Sequence, residues 1–294
     1  LLTTVRAGGA RTYSTRLYVY DPQAPAAPVS VTDLGADPMA LYGVYGTRAT
    51  SGNKASLEYK DYGDAMVFFV NAGRLWKIDL SDGASHAAAV VSSLTDVCGI
   101  GYPTQVSADG LDAWVPVLRG ASACGPASGS ATYVRTGMSA TDAPVELPAP
   151  AIITTALDDG ELNAVGLLLD FGGRLAMYDR SMAKVADVAG AGGPLAAGIE
   201  PLAYDYRNLQ AYYFQVGSFL QRLSWTAAGA KFEAPIYTFA PGTTVSYGAS
   251  DVSAYYFPDG NKVMKVEGGG TPGVVGNAPG APAGGNSLQG DSGV

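Results

Sequence analysis

The chain carries one histidine, His86, two cysteines, Cys98 and Cys124, and 26 acidic residues against 18 Lys and Arg. A reaction centre would have to be assembled from these groups. General acid–base work needs a titratable side chain held by an orienting partner. His86 sits in Ser85-His86-Ala87-Ala88, at the start of an expected outer strand, and its neighbour in sequence, Asp82, belongs to a Ser81-Asp82-Gly83 turn. It reads as an isolated strand-end imidazole. A Ser-His-Asp triad would have to use His86, yet no Gly-x-Ser-x-Gly elbow presents a serine. With one histidine, a multi-histidine metal site within the chain is excluded.

Carboxylates are the remaining candidates. Asp158-Asp159-Gly160-Glu161 offers hard oxygen ligands of the kind calcium takes, but its spacing does not match an EF-hand loop. Asp-Gly is good turn chemistry, and the same reading covers Asp82-Gly83, Asp109-Gly110 and Asp259-Gly260. The runs Gly190-Ala191-Gly192-Gly193 and Gly268-Gly269-Gly270 open no helix, so they read as inter-strand loops and not as phosphate cradles. No cofactor and no metal are expected.

The elements that position these residues follow from composition and repetition. Of 294 residues, 47% are hydrophobic and 15% charged, against roughly 25% charged in an average soluble domain. Gly (39), Pro (18) and Tyr (18) are abundant, which suits short strands joined by tight turns. Ala211-Tyr212-Tyr213-Phe214 recurs 43 residues later as Ala254-Tyr255-Tyr256-Phe257, each leading through a Gly turn into a second strand. Ala65 to Val70 leads in the same way through Asn71-Ala72-Gly73 into Arg74-Leu75-Trp76-Lys77-Ile78-Asp79, and Val165 to Leu169 through Asp170-Phe171-Gly172-Gly173 into Arg174 to Asp179. Arg16 to Asp21 matches the second strand alone. Taking the first apolar residue of that strand as a marker gives Leu17, Leu75, Leu175, Leu220 and Val263, each followed four residues on by a polar residue: Asp21, Asp79, Asp179, Ser224 and Glu267. Recurrence of these residues points to capping of the strand or of the turn after it. A period of 40–50 residues with four short strands per unit predicts an all-β propeller of about six blades. The units run 1–34 (partial), 38–92, 96–147, 150–189, 197–237 and 243–276, and the partial first unit leaves five or seven open. Residues 277–294, rich in Gly, Pro and Ala, read as a tail or linker.

The segments Leu75-Trp76-Lys77-Ile78-Asp79-Leu80-Ser81-Asp82-Gly83 and Tyr255 to Pro272 resemble blades of the TolB-like six-bladed propellers of bacterial envelope proteins and lipoproteins. The resemblance implies the fold across nearly the whole chain, and propellers host many activities.

Within such a blade, strands a to d run up and down, so the loop entering strand a and the loop joining b to c lie at the same end. That topology brings Cys98, at the start of a strand a, to Cys124, in the long loop from Arg119 to Ser130, and predicts a disulfide and an oxidising compartment. The long loops are where recognition is expected, with Lys54, Tyr59 and Tyr62 in the insertion from Thr47 to Asp64 and Arg119 beside Cys124. Tyr42, Tyr45 and Tyr102 are expected in loops lining the channel or one end. The net charge of −8 argues against nucleic acid, and no apolar run approaches the ~20 residues of a membrane helix. The chain starts Leu1-Leu2-Thr3-Thr4, which suggests a removed signal peptide or lipoprotein leader. The expectation is therefore an extracytoplasmic, non-catalytic binding or scaffold module, in the periplasm, anchored at the outer membrane or at the cell surface. It would engage a protein or glycan partner, by itself or as one subunit of an assembly. The alternative is a propeller enzyme of lyase, lactonase or glycosidase type, using carboxylates such as Asp96 and Glu200 near the channel-lining strands.

Overall fold

Every regular element in the computed structural model is a β-strand among the residues it describes, which are 2–6, 13–20, 26–35, 39–47, 62–79, 88–101, 103–107, 112–120, 130–136, 143–159, 163–205, 211–245, 249–250 and 254–277. The strands form six antiparallel sheets in chain order. The first holds β1 (Leu2–Arg6), β2 (Tyr13–Tyr20) and β3 (Pro28–Gly35). The second holds β4 (Met39–Thr47), β5 (Tyr62–Asn71), β6 (Arg74–Asp79) and β7 (Ala88–Val90). The third runs β8 (Val97–Ile100), β10 (Ala113–Arg119), β11 (Ser130–Arg135) and β12 (Val145–Pro148), with β9 (Thr104–Gln105) also on β10. The fourth holds β13 (Ile152–Asp158), β14 (Ala164–Asp170), β15 (Leu175–Tyr178) and β16 (Lys184–Asp187). The fifth runs β17 (Ala203–Tyr204), β18 (Ala211–Val216), β19 (Phe219–Thr226) and β20 (Gly229–Phe232), with β21 (Tyr237–Thr238) also on β19. The sixth holds β22 (Ala249–Ser250), β23 (Tyr255–Asp259), β24 (Lys262–Val266) and β25 (Gly273–Asn277). Successive up-and-down sheets of this kind are the blades of a β-propeller. By backbone contact the chain divides into two compact units, Leu1–Ala149 and Pro150–Val294.

The apolar runs of the middle strands follow from burial on both faces. In the second unit, side chains alternate between two neighbours. Phe214, Leu223 and Trp225 of the fifth sheet pack with Leu168, Leu175 and Met177 of the fourth. Tyr213 and Leu220 turn the other way, onto Tyr255, Phe257 and Met264 of the sixth. In the first unit, Phe68, Val70 and Leu75 of the second sheet meet Val97, Ile100, Val115 and Val117 of the third. These pairs of sheets share their cores, and such sharing is why the unit repeats.

A proline explains one irregularity. Pro116 stands mid-strand in β10, opposite Tyr133. Its carbonyl accepts from Gly101 N at 2.8 Å, so its ring nitrogen, which has no proton, also faces the innermost strand. There the partner strand is interrupted, β8 pairing with Val117 to Arg119 and β9 with Ala113 and Trp114. A missing donor thus splits the strand in two.

Val245 is a core residue ahead of the sixth sheet, whose β22 holds Ala249 and Ser250. Tyr42 and Tyr45, expected in loops, lie inside β4, where Tyr alternates with Gly and Val in the strand-forming pattern Leu41 to Gly46. Tyr102 lies outside the described residues.

Candidate functional site

The residues with chemistry to offer are distributed along the junctions between sheets. In the third sheet, Arg119 ends β10 and donates from Nε to both oxygens of Asp96 (3.0 and 3.1 Å) and from a terminal nitrogen to Glu146 at 3.2 Å. Thr132 donates to the same Glu146 carboxylate at 2.9 Å. The hydrogen bond to Asp96 raises the Arg119 pKa further above its ordinary value. At the other end of β10, where Trp114 pairs with Arg135, Arg135 grips Asp112 with two nitrogens, at 2.8 and 2.6 Å. Such forked contacts fix geometry as well as charge.

Cys98, the second residue of β8, is disulfide-bonded. Cys124 lies outside the described residues, as do Lys54, Tyr59, His86 and Asp82. Tyr62 opens β5, pairing with Thr47 at the end of β4, so the insertion between them closes the a–b end of the second sheet. Arg119 stands at the b–c end of the third sheet. Up-and-down topology therefore sends the two expected recognition loops to opposite ends of their sheets.

The turn readings on described residues can be placed, while Asp109, Gly110, Gly160 and Glu161 lie outside them. Asp159 N donates to Asn163 O at 2.9 Å while Asn163 N donates back to the Asp159 carboxylate at 3.3 Å, closing the turn after β13. Asp179 accepts from Ser181 N and Ala183 N at 2.8 and 2.9 Å, capping the c–d turn of the fourth sheet. Ser224, at the corresponding position, pairs mid-strand with Ala211, because β19 runs on to Thr226 before turning. Of the carboxylates considered for catalysis, Asp96 is ion-paired with Arg119 and Glu200 is exposed.

A second set of polar residues stands at the end of strand b, and none of them has a long-range partner legible in the sequence. Asp170, 1% exposed, accepts from Gly173 N in its own b–c turn (2.6 Å) and from Gly198 N in the connection to the next sheet (2.5 Å). Gln215 donates to Thr243 O and accepts from Val245 N, both at 2.7 Å. Asp259 accepts from the Tyr237 hydroxyl. The recurring polar residue just before the b–c glycine was the available signal. In the fourth, fifth and sixth sheets it staples the end of strand b to a connecting segment, because b–c turns and d–a connections share one end.

The glycine runs are docking strips. Gln221 and Arg222 are consecutive on β19, so they face opposite neighbours. Gln221 accepts from Gly192 N at 2.7 Å and donates to Gly190 O at 3.2 Å, on the segment leaving the fourth sheet. Arg222 donates to Gly268 O at 3.3 Å, in the last turn of the sixth sheet. Its Nε lies 3.7 Å from Asp205 and 3.4 Å from Glu233, close enough for charge pairing but without a hydrogen bond to either. Tyr213, directly opposite Arg222 across the strand pair, donates to Asp205 at 3.4 Å and accepts from Gly269 N at 3.2 Å.

Three tyrosines at these junctions resist ionisation. Burial, reinforced by the Asp205 charge, pushes Tyr213 up to about 12. Burial and the hydrogen bond to Asp259 push Tyr237 up to about 12. Burial alone raises Tyr255. An unfolded tyrosine ionises near 10, so the fold keeps protons that the unfolded chain releases. Stability from these groups is complete below pH ~10 and falls as pH rises toward about 12. Denaturant midpoints are expected to drop steeply between pH 10 and 12, and Tyr237→Phe is expected to flatten the drop. A flat profile over that range would remove the assignment.

Aromatic packing completes the fourth–fifth junction. Tyr212 stacks on Trp225 with centroids 5.2 Å apart, Trp225 Nε1 donates to Asp158 O at 2.9 Å, and Tyr204 donates to the Asp158 carboxylate at 2.9 Å. Among the described residues no group of three or more His, Cys, Asp or Glu is placed to hold a metal ion. Nor is any helix there long and apolar enough to cross a membrane.

No protein-family model matches the chain, and no curated protein matches it. Solved structures do. AztD of Citrobacter koseri aligns over 91% of this chain and 67% of its own, at 9% identity and a TM-score of 0.43. The β-propeller domain of Cps50 (Swd1) from Myceliophteria thermophila aligns over 94% and 88%, at 11% identity and 0.37. A 6-phosphogluconolactonase candidate from Bacteroides uniformis aligns over 94% and 81%, at 12% identity and 0.40. The propeller fold itself rests on the six sheets and their strand order.

Proposed function

We propose that this propeller is an extracytoplasmic, non-catalytic binding or scaffold module, one domain over residues 1–276 with a tail from 277, that engages a protein or glycan partner. The observation that supports this is the destination of its polar side chains. Asp170, Gln215, Gln221, Arg119 and Arg135 each close on backbone or on an opposite charge within or between sheets. A reaction centre needs such groups to converge on the position of a reacting atom. Here they are spread along the junctions and stiffen a frame, and a stiff frame presenting variable loops is the arrangement of a recognition module. Kinship with TolB-like envelope propellers belongs to the same proposal and is carried by the blade phrases around Trp76 and Tyr255. The acidic balance, −8 overall, supports a partner other than nucleic acid.

The test is capture by the intact protein from native envelope and secreted fractions, followed by affinity measurement with the purified partner. Saturable binding lost on deleting residues 48–61 is the expected result. Turnover of a lactone or glycoside by the purified chain, abolished by Asp96→Asn or Glu200→Gln, would overturn it.

The compartment has its own test. The disulfide state of Cys98 supports a Cys98–Cys124 bridge. Peptide mapping without reductant is expected to find the two peptides joined. Reduction is expected to cost about 3 kcal/mol, from the entropy an open loop regains on unfolding. Two titratable thiols in the unreduced, denatured protein would remove this support for an oxidising location.

A further inference from the structure

We draw no further inference here: the strongest candidate, the outer edge of the sixth sheet at β25, where Val274 and Val275 stand exposed on a strand without charged residues, carries nothing because no feature of the structure shows what covers it.

Discussion

Replacing Arg222 with methionine is expected to destabilise the protein by about 3–5 kcal/mol, the usual consequence of removing one member of a buried charge pair. The facing carboxylate is Asp205, whose side chain is 4% exposed, while Arg222 itself is 10% exposed. The loss should also loosen the sixth sheet, because Arg222 donates to Gly268 O and lies against the backbone of Gly269. Two controls isolate the cause. Glu233→Gln removes the partner that is 34% exposed and is expected to cost under about 1 kcal/mol, as solvent-screened pairs do. Arg222→Met combined with Asp205→Asn removes both charges and should recover about half of the single-variant loss or more. Equilibrium denaturation of the four proteins decides the matter. A double variant no more stable than Arg222→Met would mean that packing, and not charge, dominates.

The second large effect comes from Gly190→Ala, expected to cost about 2–4 kcal/mol by adding left-handed backbone strain to an overpacked contact. Gly190 has φ +82°, and a Cβ there would sit 2.4 Å from the carbonyl oxygen of Phe232. That oxygen is backbone of β20, held where Ala189 bridges to Lys231, so it cannot rotate away as a side-chain end would. Gly242→Ala is the matched comparison, with φ +80° and no atom within 4 Å of its added Cβ. It should show the backbone strain alone, about 1–2 kcal/mol. Thermal unfolding of both variants measures the difference, which is the cost of the close approach. Equal losses would show that the glycine-rich segment does not lie against the fifth sheet as described.

The sequence showed its repeat because the cause of the repeat is local. A strand buried on both faces must be apolar throughout, and a two-residue turn needs a residue that tolerates positive φ. Ala211 to Phe214 and Ala254 to Phe257 carry the first signal, and Gly73, Gly173, Gly217 and Gly260, all at positive φ, carry the second. Asp179 was legible for the same reason, since a side chain that caps its own turn acts within four residues.

The partners of long-range polar groups were not legible. Asp170 looks like any turn acid, and the structure buries it against Gly198, 28 residues on. Gln221 and Arg222 are adjacent letters, yet they bind segments of two different sheets, because strand alternation sends neighbours to opposite faces. The two glycine runs read correctly as loops, but only the approach of Phe232 O and of the Arg222 guanidinium shows why a side chain there would not fit. The same holds for the residues from which a catalytic or recognition site was assembled on paper. Chemistry depends on which groups converge, and convergence is set by the end of the sheet that each loop closes. By itself the sequence determined the all-β class, the blade period and the scarcity of histidine. The tertiary structure decided that Asp96, Arg119 and Asp170 hold the frame together, since only packing brings a carboxylate and its distant donor within 3 Å.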